Sequence, residues 1–254
     1  QYRVGREWRS VTDTGNDPII AARRPTPWVS YSRSEDYYSE GLLVWLDADT
    51  LIRQRTGGRR SLDDFARRFY GVPSENGSRR VNTFTFDEVV ANLNAVMPYD
   101  WATFLRDRFE AADTEPPLDG FERGGWRLVY TEERSAYQRA AESYGKTASF
   151  AYSIGLTFSD GNTVSAVQWD SPAFNAGITT GTQVIAVNGE TYSADLMRRA
   201  ITAAKDGASP LELLLKNGDS YRTVQLDYRD GLRYPHLERI SGRTDWLGRI
   251  LAPR

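Results

Sequence analysis

Apolar side chains recur at three- and four-residue spacings as far as Phe109 and at alternating positions from Trp126 onward. The first pattern predicts helices and the second predicts strands. Leu42 through Leu46, followed by Leu51 and Ile52, predicts a helix buried on most sides. Ser34 is its expected N-cap, Glu35 and Asp36 occupy the first turn, where a helix favours negative charge, and Gly57-Gly58 stops it. Ser61-Leu62-Asp63-Asp64 opens a second helix, with Leu62, Phe65 and Phe69 on one face before Gly71. Thr85 and Glu88 have the capping-box spacing ahead of Val89, Val90 and Leu93, which predicts a third. After the break at Pro98-Tyr99-Asp100, Trp101, Phe104, Leu105 and Phe109 form a fourth amphipathic stretch. Residues 1–27 read as irregular, punctuated by Asp13-Thr14-Gly15-Asn16-Asp17-Pro18 and Arg24-Pro25-Thr26-Pro27.

The period changes after Asp113-Thr114-Glu115-Pro116-Pro117-Leu118-Asp119-Gly120, a composition typical of a connection between domains. Strands are expected at 126–130, 150–158, 163–167, 183–187, 211–215 and 221–228, with Asn217-Gly218 as a hairpin turn. Ser193 to Ala204 is the one clear helix of this half. The expected fold class is α+β in two domains: a helical part at 1–112, a linker at 113–124, a β-rich domain at 125–230 and a C-terminal extension at 231–254.

Composition narrows the partners. With 32 basic and 34 acidic residues the formal charge is −2, so no global positive field points to nucleic acid or an anionic membrane. The longest apolar run, Gly41 to Leu46, is far short of the roughly 20 residues of a membrane span, and the chain is expected to be soluble. The chain has no cysteine, which removes disulfides and thiolate metal sites. It starts at Gln1 with a polar, arginine-rich stretch and is read as a fragment of a longer protein.

Few residues can carry catalysis alone. His236 is the single histidine, HExxH is absent, and no Gly-x-Ser-x-Gly elbow accompanies it, so no zinc site or serine triad assembles in the usual way. Asp63-Asp64 and Glu132-Glu133 are adjacent and diverge around a helix axis. Arg59-Arg60, Arg67-Arg68, Arg79-Arg80 and Arg198-Arg199 read as surface charge among acids.

Three pieces of the second half form a sharper pattern: Ser153-Ile154-Gly155-Leu156 entering a strand, Ser171-Pro172-Ala173-Phe174-Asn175-Ala176-Gly177, and Val184-Ile185-Ala186-Val187-Asn188-Gly189. Together they resemble the PDZ domain. The resemblance implies a carboxylate-binding loop around Ile154 and Gly155. It also implies a strand edge carrying Leu156 and Phe158, and a helix supplying Leu196 and Ala200 to an apolar pocket for C-terminal peptides. The same side chains also suit an ordinary core.

With that module in view, Gly5-Arg6-Glu7-Trp8-Arg9, Arg23-Arg24-Pro25-Thr26-Pro27-Trp28, the run Ser34 to Asp47, Gly125 to Tyr130 and Gly231 to Arg239 resemble the M61 peptidase family, the glycyl aminopeptidases. The resemblance implies the α-helical C-terminal end of a thermolysin-like metallopeptidase domain followed by a β-rich PDZ-like domain. It also implies peptide substrates with N-terminal glycine or alanine. Zinc would be bound in the parent enzyme by ligands on an upstream catalytic-domain segment, none of them in this chain, so the fragment alone is expected to lack zinc and activity. Such a parent is bacterial, and the leaning is to a periplasmic or secreted setting. Tyr38-Ser39-Glu40-Gly41 is similar to the Tyr-x-x-Gly segment of the related M1 aminopeptidases, which implies that Tyr38 stabilises the oxyanion beside zinc. Against this stand a Tyr38 that merely packs at a helix start, its neighbour Tyr37, and a non-catalytic PDZ module that only binds or scaffolds peptides.

Overall fold

The computed structural model describes residues 4–20, 28, 30–71, 83–112, 115–205, 207 and 210–253; Arg24-Pro25-Thr26-Pro27, the Arg79-Arg80 pair and Asp113-Thr114 lie outside them. The chain divides into two units, Gln1–Arg127 with Glu238–Arg254, and Leu128–Leu237.

In the first unit a 3-10 turn, Val4–Glu7, precedes α1 (Val11–Thr14), α2 (Asp17–Ile20), α3 (Tyr37–Thr56), α4 (Leu62–Tyr70), α5 (Phe86–Val96), α6 (Trp101–Phe109) and α7 (Asp119–Arg123). Local side chains start α4, α5 and α6 where the sequence places them. Asp64 Oδ2 accepts the Ser61 N–H at 2.9 Å, Glu88 Oε2 accepts the Thr85 N–H at 2.7 Å, and Asp100 caps α6 through the Thr103 N–H at 3.1 Å. The α3 helix departs from expectation. It begins at Tyr37 after Asp36, and Ser34 is not its cap. Glu35 sits at φ 48°, in the left-handed region, and its N–H donates to Asp17 Oδ2 at 3.1 Å, so a partner eighteen residues away moves the N-cap from Ser34 to Asp36. Val44, Ala48 and Ile52 are fully buried against Phe65, Leu93, Trp101 and Phe104, and every residue from Asp47 to Ile52 is buried, so α3 is enclosed on most sides there, while nearer its start Leu42 is 73% exposed. At Gly120 of α7 an added Cβ would lie 2.7 Å from the Asp47 backbone N; only glycine lets α7 approach α3 this closely.

The second unit begins within β1 (Trp126–Thr131) and adds α8 (Ala136–Gly145), β2 (Thr147–Phe150), β3 (Leu156–Ser159), β4 (Thr163–Val167), α9 (Pro172–Asn175), β5 (Gln183–Val187), β6 (Glu190–Thr191), α10 (Ala194–Lys205), β7 (Leu211–Asn217), β8 (Ser220–Leu226) and β9 (Tyr234–Arg239). The main sheet runs β2-β3-β4-β5-β7-β8, all antiparallel, with β6 pairing β5, while β1 and β9 pair separately. The Asn217-Gly218 turn closes β7 on β8 as expected, with Asn217 opposite Ser220 and Gly218 at φ 57°. The single strand expected over 150–158 is instead two, because Gly155 at φ 86° turns the chain back and β2 pairs with β3. The β9 strand runs on to Arg239, and α11 (Trp246–Leu251) belongs to the first unit, its Trp246 ring lying against Gly58.

Candidate functional site

Tyr38 occupies the second position of α3 and is 61% exposed. Its ring lies 4.4 Å from that of the half-buried Tyr37, and among the described residues its hydroxyl has no hydrogen-bond partner.

A buried ionic lattice holds the turn that carries it. Glu40, 6% exposed, accepts from Arg6 Nη1 at 2.5 Å, Arg6 Nη2 at 3.1 Å and Arg33 Nη2 at 2.5 Å. Arg33 also donates to Asp36 Oδ2 at 3.2 Å and to the Arg9 carbonyl at 2.9 Å, while Arg9 donates to Asp17. Burial pushes the Asp17 carboxyl up, but hydrogen bonds from Arg9, the Glu35 amide and Ser34 outweigh it and hold the group below the usual carboxylate range. About two turns further along α3, the fully buried Asp47 accepts from Arg108 Nη2 at 2.6 Å and from Arg123. Paired charges of this kind hold geometry more than they add stability. Here they fix the helix on which Tyr38 stands.

Sequence reading missed Glu40 and Asp47. Arg6, Arg108 and Arg123 lie 34, 61 and 76 residues away from them, and Arg33, seven residues before Glu40, stands outside the helix, so no helical spacing signals these pairs. A polar cavity of about 250 Å³ borders the lattice, lined by Arg6, Glu40, Asp107, Arg108, Glu115 and Asp119 among others.

In the second unit, Ile154, Leu156 and Phe158 are fully buried, Gly155 is buried, and Leu196 and Ala200 are 8% and 7% exposed. The expectation of an open peptide edge at β3 needs correction. β3 is paired on both sides, with β2 and β4, and the Gly155 N–H already donates to the Phe150 carbonyl at 3.0 Å. Phe150 itself is fully buried, 6.0 Å from Phe158 of β3 and beneath the Arg198 guanidinium of α10 at 5.7 Å. Arg198 is no free surface charge: it and Arg134 donate to Glu142 of α8 at 3.3 Å and 2.8 Å. The Tyr192 ring lies 4.9 Å from that of Phe158, and burial pushes the pKa of its hydroxyl well up.

No family model matches the chain, and no curated protein matches it. Among solved structures, an aminopeptidase N family protein from Idiomarina loihiensis matches at 16% identity with a TM-score of 0.61, covering 99% of this chain. This chain is similar to it in fold. It spans 42% of that protein's length. An HtrA3 PDZ domain bound to a phage-derived ligand aligns over 47% of this chain and 99% of that one at 17% identity, with a TM-score of 0.24, at which no shared fold is inferred.

Among the described residues, no three His, Cys, Asp or Glu side chains are grouped to hold an ion, and His236 Nε2 lies 2.6 Å from the Glu133 carbonyl. The described residues do not fit a zinc site by themselves. Among the described residues, no helix is long and apolar enough to cross a membrane.

Proposed function

We propose that this chain is the C-terminal portion of an M61-type zinc aminopeptidase that removes N-terminal glycine or alanine from peptides. Zinc and its HExxH and glutamate ligands belong, in this reading, to a catalytic segment outside these residues, and the chain alone is inactive. The observation that carries the reading is Tyr38. It is an exposed phenol whose hydroxyl has no partner among the described residues, set in the first turn of a helix held by buried ion pairs, in a chain whose fold is like that of an aminopeptidase-family protein.

Tyr38 supplies a hydrogen bond to the oxyanion that forms when water adds to the scissile carbonyl. A hydroxyl donor does this without bringing a charge to the ground state, and donors of this kind contribute about 2.7–4 kcal/mol to the transition state. Glu40, Arg6 and Arg33 are positioning residues, since they touch the helix and not the reacting atoms. The alternative, a free-standing peptide-binding or scaffolding module, requires β2 to leave the edge of β3 that it fills.

Glycyl- and alanyl-anilide turnover together with metal analysis tests the proposal, on this chain and on a polypeptide extended by the residues that precede Gln1. Zinc-dependent turnover is expected only for the extended protein. Turnover by the 254-residue chain, or an extension without HExxH and without activity, overturns the reading.

A further inference from the structure

Peptides that add to a sheet as an extra strand share three features: antiparallel main-chain pairing, alternate side chains in pockets, and a terminal carboxylate received by backbone amides. Thr147–Phe150 has all three with respect to the rest of its own unit. It pairs antiparallel with β3, Ala148 opposite Phe158 and Phe150 opposite Leu156. Its alternate side chains, Ala148 and Phe150, are 6% and 0% exposed, whereas Thr147 and Ser149 are only half-buried. The Phe150 ring reaches both Phe158 on β3 and Arg198 on α10. The Phe150 carbonyl accepts two loop amides, Ser153 at 3.1 Å and Gly155 at 3.0 Å, where the carboxylate of a peptide ending in phenylalanine belongs.

The way this strand is held differs from the rest of the sheet. It is four residues long and at the edge, and its outward Ser149 N–H donates to Glu142 Oε1 at 3.2 Å rather than to a strand. Glu142 in turn takes Arg134, Arg198 and Gln138, so one carboxylate ties β2 to α8 and α10. Beyond Thr147 the space continues as a cavity of about 460 Å³ lined by Lys146, Asp160, Asn162, Tyr192 and Ser193 among others, so the groove is longer than the segment that fills it.

We propose that Thr147–Phe150 is an internal peptide ligand, which shuts the β3/α10 groove to external peptides that end in a large apolar residue with a free carboxylate. A tethered segment acts at roughly millimolar effective concentration, enough to exclude a free peptide of ordinary affinity. The groove opens only when β2 leaves. This inference does not depend on the peptidase reading.

The probe is the peptide Lys-Thr-Ala-Ser-Phe with a free carboxylate, against its carboxamide, titrated into the 254-residue chain and its variants Phe150→Ala and Glu142→Gln. The first empties the anchor pocket; the second loosens the clamp and leaves the core intact. The wild type is expected not to bind the peptide, and a folded variant to bind the carboxylate form at least about tenfold more tightly. Binding by the wild type as tight as by the variants overturns the proposal, as does failure of both folded variants to bind. Hydrogen exchange on the wild type decides even if the variants do not fold. The Ala148 and Phe150 amides are expected to exchange at least about tenfold faster than those of Leu213 and Leu215 through local opening. Exchange at the same rate, through global unfolding alone, overturns it.

Discussion

Arg33 donates from Nη2 to Glu40 Oε2 at 2.5 Å, and both side chains lie out of solvent, at 1% and 8% exposure. Arg6 meets the same carboxylate from the other end of the lattice. Removing Glu40 therefore strands two guanidiniums in a buried site. Glu40→Ala is expected to destabilise the first unit by about 3–5 kcal/mol, the range for breaking a buried pair by deleting one partner. Urea unfolding monitored by tryptophan fluorescence measures it.

Tyr38 predicts the opposite separation of effects. Its hydroxyl touches nothing among the described residues, so Tyr38→Phe leaves the urea midpoint of this chain unchanged within about 0.5 kcal/mol. In the extended enzyme the same change lowers kcat by about 10²–10³-fold with zinc content intact. Near-normal turnover removes Tyr38 from the site.

Gly120 is a packing device. A methyl there meets the Asp47 backbone at 2.7 Å, which neither helix can yield without moving apart. Gly120→Ala is expected to cost about 1–3 kcal/mol, the range for overpacking, although alanine is the better helix former. A gain in thermal midpoint would show that α7 docks more loosely.

Acid should weaken the lattice through Asp17, whose carboxyl is held below its ordinary value. A depressed carboxyl contributes stability above its unfolded pKa, near about 4, and loses it as pH falls through the folded value. Thermal midpoints of the wild type and Asp17→Asn are expected to differ at pH 7 and to converge on acidification. A constant gap down to acid pH would mean that Asp17 acts through packing and not through its charge.

Much of this was legible in the chain. The capping pairs Ser61/Asp64 and Thr85/Glu88, the Asp100 cap and the Asn217-Gly218 turn act over two to four residues, so their elements stand where local spacing puts them. The alternation of apolar residues sorted the β-rich half from the helical half for the same reason. Tyr38 could be singled out by its setting, but its exposure could not.

Tertiary structure decided the remainder. Asp17 reached across eighteen residues to take the Glu35 amide and moved the start of α3, Glu40 and Asp47 found arginines 34 to 76 residues distant, and β2 took the edge of β3. Periodicity records which side chains avoid water, and caps record where a helix can begin. Neither records which distant charge will satisfy a buried one, or which strand will fill an open edge. Those choices depend on what the whole chain brings within a few ångströms, where an unpaired charge or a bare strand edge is too costly to remain.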